Sequence, residues 1–364
     1  MKLQCGIVGL PNVGKSTLFN ALTASSNAEA ANYPFCTIEP NTGTVSVPDD
    51  RLHSLAKNAG SAKIIPAFIE FVDTAGLVKG ASRGEGLGNQ FLSHIREVDA
   101  IIHVLRCFED DDITHVHGKI DPIEDAEIIE TELIIADLDS VNKRMQNMAK
   151  KIKGDKILQA QYDLMGQCKI VLEEGKPLRT LIGSVDKAEL FSLQLLTSKP
   201  ILYVCNVQES EAATGNVYSE RVQEMAKASG SNVVIISSKI EAEISLLEEA
   251  EEKKEFLDSL NLTETGLSKI IQSAYLLLDL KSFFTIGPKE AHAWTFKTGT
   301  SAPQAAGIIH TDFEKGFIRA EIIGCHEYLE IGSEAKAKEH GKMRVEGKEY
   351  IMQDGDVVHF RFNV

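Results

Sequence analysis

Residues 3–22 read LQCGIVGLPNVGKSTLFNAL. Leu3 to Val8 is a short apolar run with polar interruptions, halted by Gly9, as expected of a buried strand. Gly9, Leu10, Pro11, Asn12, Val13, Gly14, Lys15 and Ser16 then satisfy GxxxxGK[ST], and Thr17 to Leu22 continues as a helical stretch. Strand, glycine-rich turn and helix in that order make a phosphate cradle. The glycines let backbone N–H groups curl around phosphates, and the helix N-terminus adds its positive dipole end. Lys15 supplies a cation for the β and γ positions, and the Ser16 hydroxyl is a ligand for Mg²⁺.

Outward from this motif, Ala67 to Val72 and Ala100 to Leu105 are continuous apolar runs rather than alternating ones. That suits parallel strands covered by helices on both faces of an α/β domain. Asp73, Thr74, Ala75 and Gly76 close the first run as DxxG, where Asp73 can hold the metal's water shell and the Gly76 N–H can reach the γ-phosphate. Between the two motifs, Asn32 to Pro40 is a proline-bounded loop in which Thr37 is the candidate second hydroxyl on Mg²⁺, with Thr42 and Thr44 as alternatives. Gly76 to Asn89 carries five glycines with Lys79 and Arg83 between them, a composition suited to a γ-phosphate sensor that orders on binding.

From about Asp125 the period changes. Ile134, Leu138, Val141, Met145, Met148 and Ile152 form a coiled-coil seam, and Ile157, Leu164, Cys168 and Val171 form a second helical set, which predicts an antiparallel helical hairpin turning near Gly154. Strand signal resumes at Pro200 to Val207 and Asn232 to Ser237, so the hairpin is an insertion. Glu248 to Glu255 reads as the solvated face of a helix. After Leu280, short strands are expected at Ala293 to Phe296, Ala305 to His310, Gly316 to Ile323, Gly347 to Met352 and Val357 to Phe362. The expected domains are 1–125 plus 199–278 for nucleotide, 126–198 for the helical insertion, and 279–364 for a β-rich terminal domain.

Base choice turns on Asn206, Val207, Gln208 and Glu209, at the end of the strand signal from Ile201 to Cys205. Guanine-specific proteins of this architecture carry NKxD there, in which the carboxylate accepts from guanine N1 and N2. Glu209 is one methylene longer than aspartate and Val207 has no lysine stem, so adenine becomes the expected base. Asn206 can meet N7 and the N6 amino group, the Val207 carbonyl can accept from N6, and Ser237, Ser238 and Lys239 lie where such domains close over the base. Leu77 follows DxxG where Ras-like enzymes place a glutamine, so it cannot orient the attacking water. His115, in the polar loop Asp110 to His117, is the candidate replacement, with His94 and His103 as alternatives. Asn12 is placed to help seat a potassium ion.

The chain has 364 residues, 43% of them hydrophobic and 25% charged, which suits two or three globular domains. With 38 Lys+Arg against 53 Asp+Glu the net charge is -15, which excludes polyanion attraction over the whole surface. Any nucleic-acid contact must be local. Lys143, Arg144, Lys150, Lys151, Lys153 and Lys156 make the hairpin tip positive, either for nucleic-acid phosphates or as a solvated end. Phe283, Phe284, Trp294 and Phe296 either stack bases or build a small core. Six singly scattered cysteines form no CxxC pair and read as reduced thiols in a cytoplasmic protein. No apolar run is long enough to span a bilayer, and neither a membrane nor sequence-specific DNA is an expected partner.

Taken together, Gly9 to Ser16, Asn32 to Asn41, Asp73 to Gln90, Asn206 to Glu209 and Ala302 to Arg319 resemble the YchF subfamily of Obg-like proteins, in its bacterial form, over essentially the whole chain. The resemblance implies a Ras-like, Obg-type P-loop domain, a helical coiled-coil insertion and a terminal TGS domain of β-grasp form. It further implies ATP preferred over GTP, slow hydrolysis and association with ribosomes through rRNA or ribosomal proteins. The candidate nucleotide-binding residues are Asn12, Val13, Gly14, Lys15, Ser16, Thr17, Asp73, Gly76, Asn206, Val207, Glu209 and Ser237; the resemblance implies adenine contacts at Asn206 and Val207, Phe108 as a wall against the base and His115 as a catalytic group.

Overall fold

The computed structural model describes residues 3–30, 41–74, 87–110, 119–152, 155–247 and 249–363. Among them are twelve strands: β1 (Gln4–Val8), β2 (Thr42–Ser46), β3 (Lys63–Ile65), β4 (Phe68–Asp73), β5 (Ala100–Arg106), β6 (Ile201–Asn206), β7 (Asn232–Ile236), β8 (Leu280–Ile286), β9 (Glu290–Lys297), β10 (Phe317–Gly324), β11 (Arg344–Glu346) and β12 (Asp356–Phe362). The chain divides into two compact units, Met1–Thr44 with Glu70–Ala274, and Val45–Ile69 with Tyr275–Val364.

The first unit is built on a sheet of order β2-β4-β1-β5-β6-β7. β1 runs parallel to β4 and β5, and β5, β6 and β7 continue in parallel. Every residue of β5 and β6 is buried. Consecutive strand residues face opposite sides, so such strands are covered on both. β1 has β4 on one side and β5 on the other, so the strand order reverses at its carboxyl end, the place where open α/β sheets bind ligands.

Helices Pro122–Ala149 and Lys156–Glu173 follow β5, each opened by an aspartate N-cap, Asp121 and Asp155. Ile134 and Val141 pack with Leu164, Met165, Cys168 and Leu172 in one apolar cluster, with Leu138, Met145 and Met148 against it. Most of the expected seam thus meets, but Ile157 does not: it is 74% exposed in the first turn of the second helix, and Gly154 lies outside the described residues. The first helix is tied to the segment before β6 by Asp137, whose carboxylate accepts from Leu196 N, Thr197 N and the Thr197 hydroxyl at 2.7–2.8 Å.

The second unit holds a sheet of order β11-β10-β12-β8-β9-β3. β8 and β9 form an antiparallel hairpin, and β12 runs parallel to β8 and antiparallel to β10. Three expectations fail here. Ala305 to His310 is not a strand, because Ala302–Ile309 is a helix set by a Ser301–Gln304 capping box and Pro303 in its first turn. Gly347 to Met352 forms no strand either, contributing only an isolated bridge from Ile351 to Ser301. Residues 45–69, expected in the nucleotide domain, group with the terminal segment: β3 pairs parallel with β9, and Arg51 bridges Asp49 and Asp354. Phe283, Phe284 and Phe296 are sealed from solvent, and Trp294 packs against the same core as Phe283, so these aromatics build an interior rather than a base-stacking surface.

Candidate functional site

β1 ends at Val8, and residues 9–14 turn back over the sheet before the helix Lys15–Ala30 begins. Two glycines make that turn possible. A Cβ on Gly9 would stand 2.5 Å from the Val104 carbonyl oxygen, and Gly14 has φ +99°, where a side chain would strike the Asn206 carboxamide. Asn12 also takes a positive φ of 63°, which asparagine tolerates. Lys15 is buried, and its ammonium donates to the Leu10 carbonyl at 2.6 Å. Burial lowers its pKa to about 8, with the Asp73 charge opposing the shift.

Ser16 and Thr17 are exposed at the first turn of that helix. Ser16 hydrogen-bonds the carboxylate of Asp73 at the end of β4, whose pKa burial raises while Lys15 and Ser16 pull it down. The other oxygen, Asp73 Oδ1, is buried without a hydrogen-bond partner. An exposed hydroxyl beside a carboxylate with an unmatched oxygen is the hard, all-oxygen donor set that suits Mg²⁺. Thr37 and Gly76 lie outside the described residues, and the alternatives Thr42 and Thr44 sit in β2.

A cavity of about 880 Å³ opens beside the loop, lined by Asn12, Gly14 and Thr17, by Phe108 and Asp110, and by residues 206–210, 237–239 and 242. This joins ends of β5, β6 and β7 to the phosphate loop at the sheet's switch point, with volume for a nucleotide. Asn206 is buried and braces the site. One amide hydrogen goes to the Val13 carbonyl at 3.0 Å, and its oxygen accepts from Ser238 N at 2.9 Å. Ser238 takes one of the oxygen's two lone pairs and Val13 one of the two amide hydrogens, so one acceptor site and one N–H are left for a ligand. Val207 is buried on the same lining, and Ser237 opens the helix Ser238–Ser245. Ser238 Oγ is buried and has no partner. Glu209 is paired with the exposed Lys239.

The histidines separate. His115 lies outside the described residues. His103 is sealed in β5 beside Tyr203, and burial drives its pKa down to about 3, so it is a neutral core residue and cannot orient a water at the phosphates. His94 lies on the helix Leu87–Glu97 with its Nδ1 buried and unpartnered. Of the hairpin cations, Arg144 donates to the Leu193 carbonyl at 2.6 Å, whereas Lys143, Lys150, Lys151 and Lys156 are exposed. Sequence reasoning missed one residue of the site and one pairing within it. Arg106 supports the Phe108 wall, and the only sign of it is a charged residue closing an apolar strand. Lys239 pairs with Glu209, a partnership that sequence separation hides.

A phosphate loop at the switch point of a parallel sheet, joined to a base-sized cavity, belongs to the P-loop nucleoside triphosphate hydrolases. Residues 4–154 match the family described as a 50S ribosome-binding GTPase, and residues 280–363 match the C-terminal domain of YchF GTPases, described as a protein of unknown function. A Bacillus subtilis relative named ribosome-binding ATPase YchF is 54% identical over 368 residues, covering 100% of both chains. A Haemophilus influenzae relative of the same name is likewise 54% identical over 100% of both. The solved YchF GTPase of Schizosaccharomyces pombe superposes with a TM-score of 0.88 at 39% identity, over 99% of this chain and 98% of that one. The chain belongs to the YchF family. Among the described residues no helix is long and apolar enough to cross a membrane.

Proposed function

We propose that the protein is a magnesium-dependent ATPase that binds ATP in preference to GTP and uses its nucleotide state to regulate association with the ribosome. The rim of the cavity carries the base preference: Glu209 pairs with the exposed Lys239, and Val207 stands where guanine readers have a lysine. Guanine needs a carboxylate set to accept from N1 and N2 together. A longer one drawn onto a lysine leaves those donors poorly matched, at a cost on the order of 1–3 kcal/mol. Adenine asks for less. The remaining Asn206 N–H suits N7, the Val207 carbonyl suits N6, and Ser237 closes the lining.

Around the triphosphate, the amides of Asn12 to Thr17 cradle the β and γ groups and Lys15 balances their charge. Ser16 and Thr37 would hold Mg²⁺, with Asp73 on its water shell and the Gly76 N–H at the γ-phosphate; the ion would supply charge neutralisation there. Leu77 offers no hydrogen bond to the attacking water, which fits slow turnover with His115 supplying that contact. Asn12 favours stimulation by K⁺.

Residues 126–198 would act as a coiled-coil arm and 279–364 as a TGS domain. The names of the relatives and the cations of the hairpin support a ribosomal partner in the cytoplasm, by way of rRNA or ribosomal proteins. A second reading, a GTP-hydrolysing translation factor, is favoured by the printed name of the fission-yeast neighbour as a GTPase. A third is a scaffold that nucleotide stabilises with incidental turnover. Co-sedimentation with ribosomes in a non-hydrolysable ATP analogue, in ADP and without nucleotide tests the regulatory reading. Pelleting should differ among the three states, and equal pelleting contradicts it. Single-turnover cleavage with and without ribosomes should show stimulation; identical negligible rates favour the scaffold.

A further inference from the structure

Arg106, the last residue of β5, is only 1% exposed and heads the largest fully buried side chains among the described residues. Arginine is rarely sealed from water unless its donors are used. Here the four residues after the strand fold around it. Arg106 Nε donates to the Phe108 carbonyl and an Nη to the Asp110 carbonyl, both at 3.2 Å. The guanidinium carbon stands 4.6 Å from the centre of the Phe108 ring. Asp110 and Asp125 act on it electrostatically, the latter from the first turn of the helix Pro122–Ala149. Phe108 and Asp110 both line the cavity beside the phosphate loop.

We propose that Arg106 is the positioning residue for nucleotide-base recognition, holding the Phe108 ring and the 108–110 main chain as a preformed wall without touching base or phosphate. This rests on the reading of the cavity as the base site. The physical case is one of pre-organisation. A partly buried phenylalanine at the start of a connection would otherwise exchange rotamers, and a base stacking on it would have to freeze that freedom. With the guanidinium on the ring and two carbonyls fixed by the same group, the wall exists before the ligand arrives. Aromatic stacking accepts any base, because every base presents a π-face. Arg106 should therefore support ATP and GTP equally, while the choice between them stays with the Glu209 edge.

The test is a set of titrations of wild type, Arg106→Met, Arg106→Lys and Phe108→Ala with ATP, GTP and ribose 5-triphosphate, which carries the phosphates without a base. Arg106→Met should weaken ATP and GTP by the same factor, about tenfold, and leave ribose 5-triphosphate within about twofold. Phe108→Ala should show the same pattern, and the double variant should lose no more than either alone. Arg106→Lys keeps the charge without the planar fork and should recover part of the loss. Equal weakening of ribose 5-triphosphate, or additive losses in the double variant, overturns the proposal in favour of a general folding role. Should Arg106→Met fail to fold, as judged by circular dichroism, Arg106→Lys decides: about a threefold loss confined to base-bearing ligands is expected, and either no loss or a loss shared by ribose 5-triphosphate overturns it. Phe108→Ala with unchanged ATP and GTP affinity would instead remove the base-site reading itself.

Discussion

The two units treat their buried polar groups in opposite ways. Among the described residues, the buried side-chain atoms without a hydrogen-bond partner are Asp73 Oδ1, His94 Nδ1, His103 Nε2, Glu130 Oε1, Arg179 Nε and Ser238 Oγ, and every one belongs to the first unit. Two of them, on Asp73 and Ser238, flank the phosphate loop or line the cavity beside it. In the second unit the comparable groups close on one another. The Tyr275 hydroxyl reaches the Lys281 carbonyl and the hydroxyls of Ser282 and Thr295, and Glu321 is surrounded by Arg319, Arg361 and Lys338. An unmatched buried polar atom costs about 1–3 kcal/mol, and a ligand that supplies the missing partner recovers it. At Asp73 and Ser238 the first unit keeps unmatched atoms where a ligand can meet them, whereas Tyr275 and Glu321 in the second are matched internally.

The contrast can be broken or sharpened in four ways, by decreasing expected effect. Phe283→Ala empties the middle of the second unit's core and should destabilise that unit by about 3–5 kcal/mol, with ATP affinity of the folded protein unchanged. Denaturant unfolding followed by titration checks it, and a matching loss of affinity would erase the division of labour. Lys15→Ala removes the buried ammonium at the phosphate site and should weaken ATP by about 100-fold, worth about 2.7 kcal/mol, while thermal unfolding stays near wild type.

Asn206→Ala cuts the link from Val13 to Ser238 and leaves both backbone groups unmatched. It should cost about 1–3 kcal/mol in unfolding free energy and weaken ATP and GTP together. A loss of affinity with full stability would mean that Asn206 reads the base rather than bracing the loop. The smallest effect concerns acid. Glu321 has its pKa held down to about 2, first by its hydrogen bond to Arg361, so its contribution is complete above the ordinary glutamate pKa near 4.5 and fades as pH falls towards 2. Melting curves over that window should show the second unit losing about 1–2 kcal/mol, and Glu321→Gln should flatten the dependence.

The phosphate site was legible in the sequence because its chemistry is contiguous: strand, turn, cation and hydroxyl occupy Gln4 to Ser16, and local spacing fixes their geometry. The helical hairpin was legible for the same reason, since its apolar period is a property of each helix alone. What escaped depends on pairing across the chain. β3 stands 227 positions before Glu290, its partner for Lys63 in β9, so nothing local placed residues 45–69 with the terminal unit. At Ala302–Ile309 the apolar run suggests a strand, while Ser301, Pro303 and Gln304 carry the helix-start signal that prevails. Arg106 and the Glu209–Lys239 pair needed the cavity before their partners became visible.

The most direct test is calorimetric titration of the wild-type protein with ATP and with GTP under identical magnesium and potassium concentrations. The structure leads us to expect ATP to bind at least about tenfold more tightly, a difference of about 1.4 kcal/mol. Equal affinity, or tighter binding of GTP, would contradict the assignment of the Val207 and Glu209 rim to adenine.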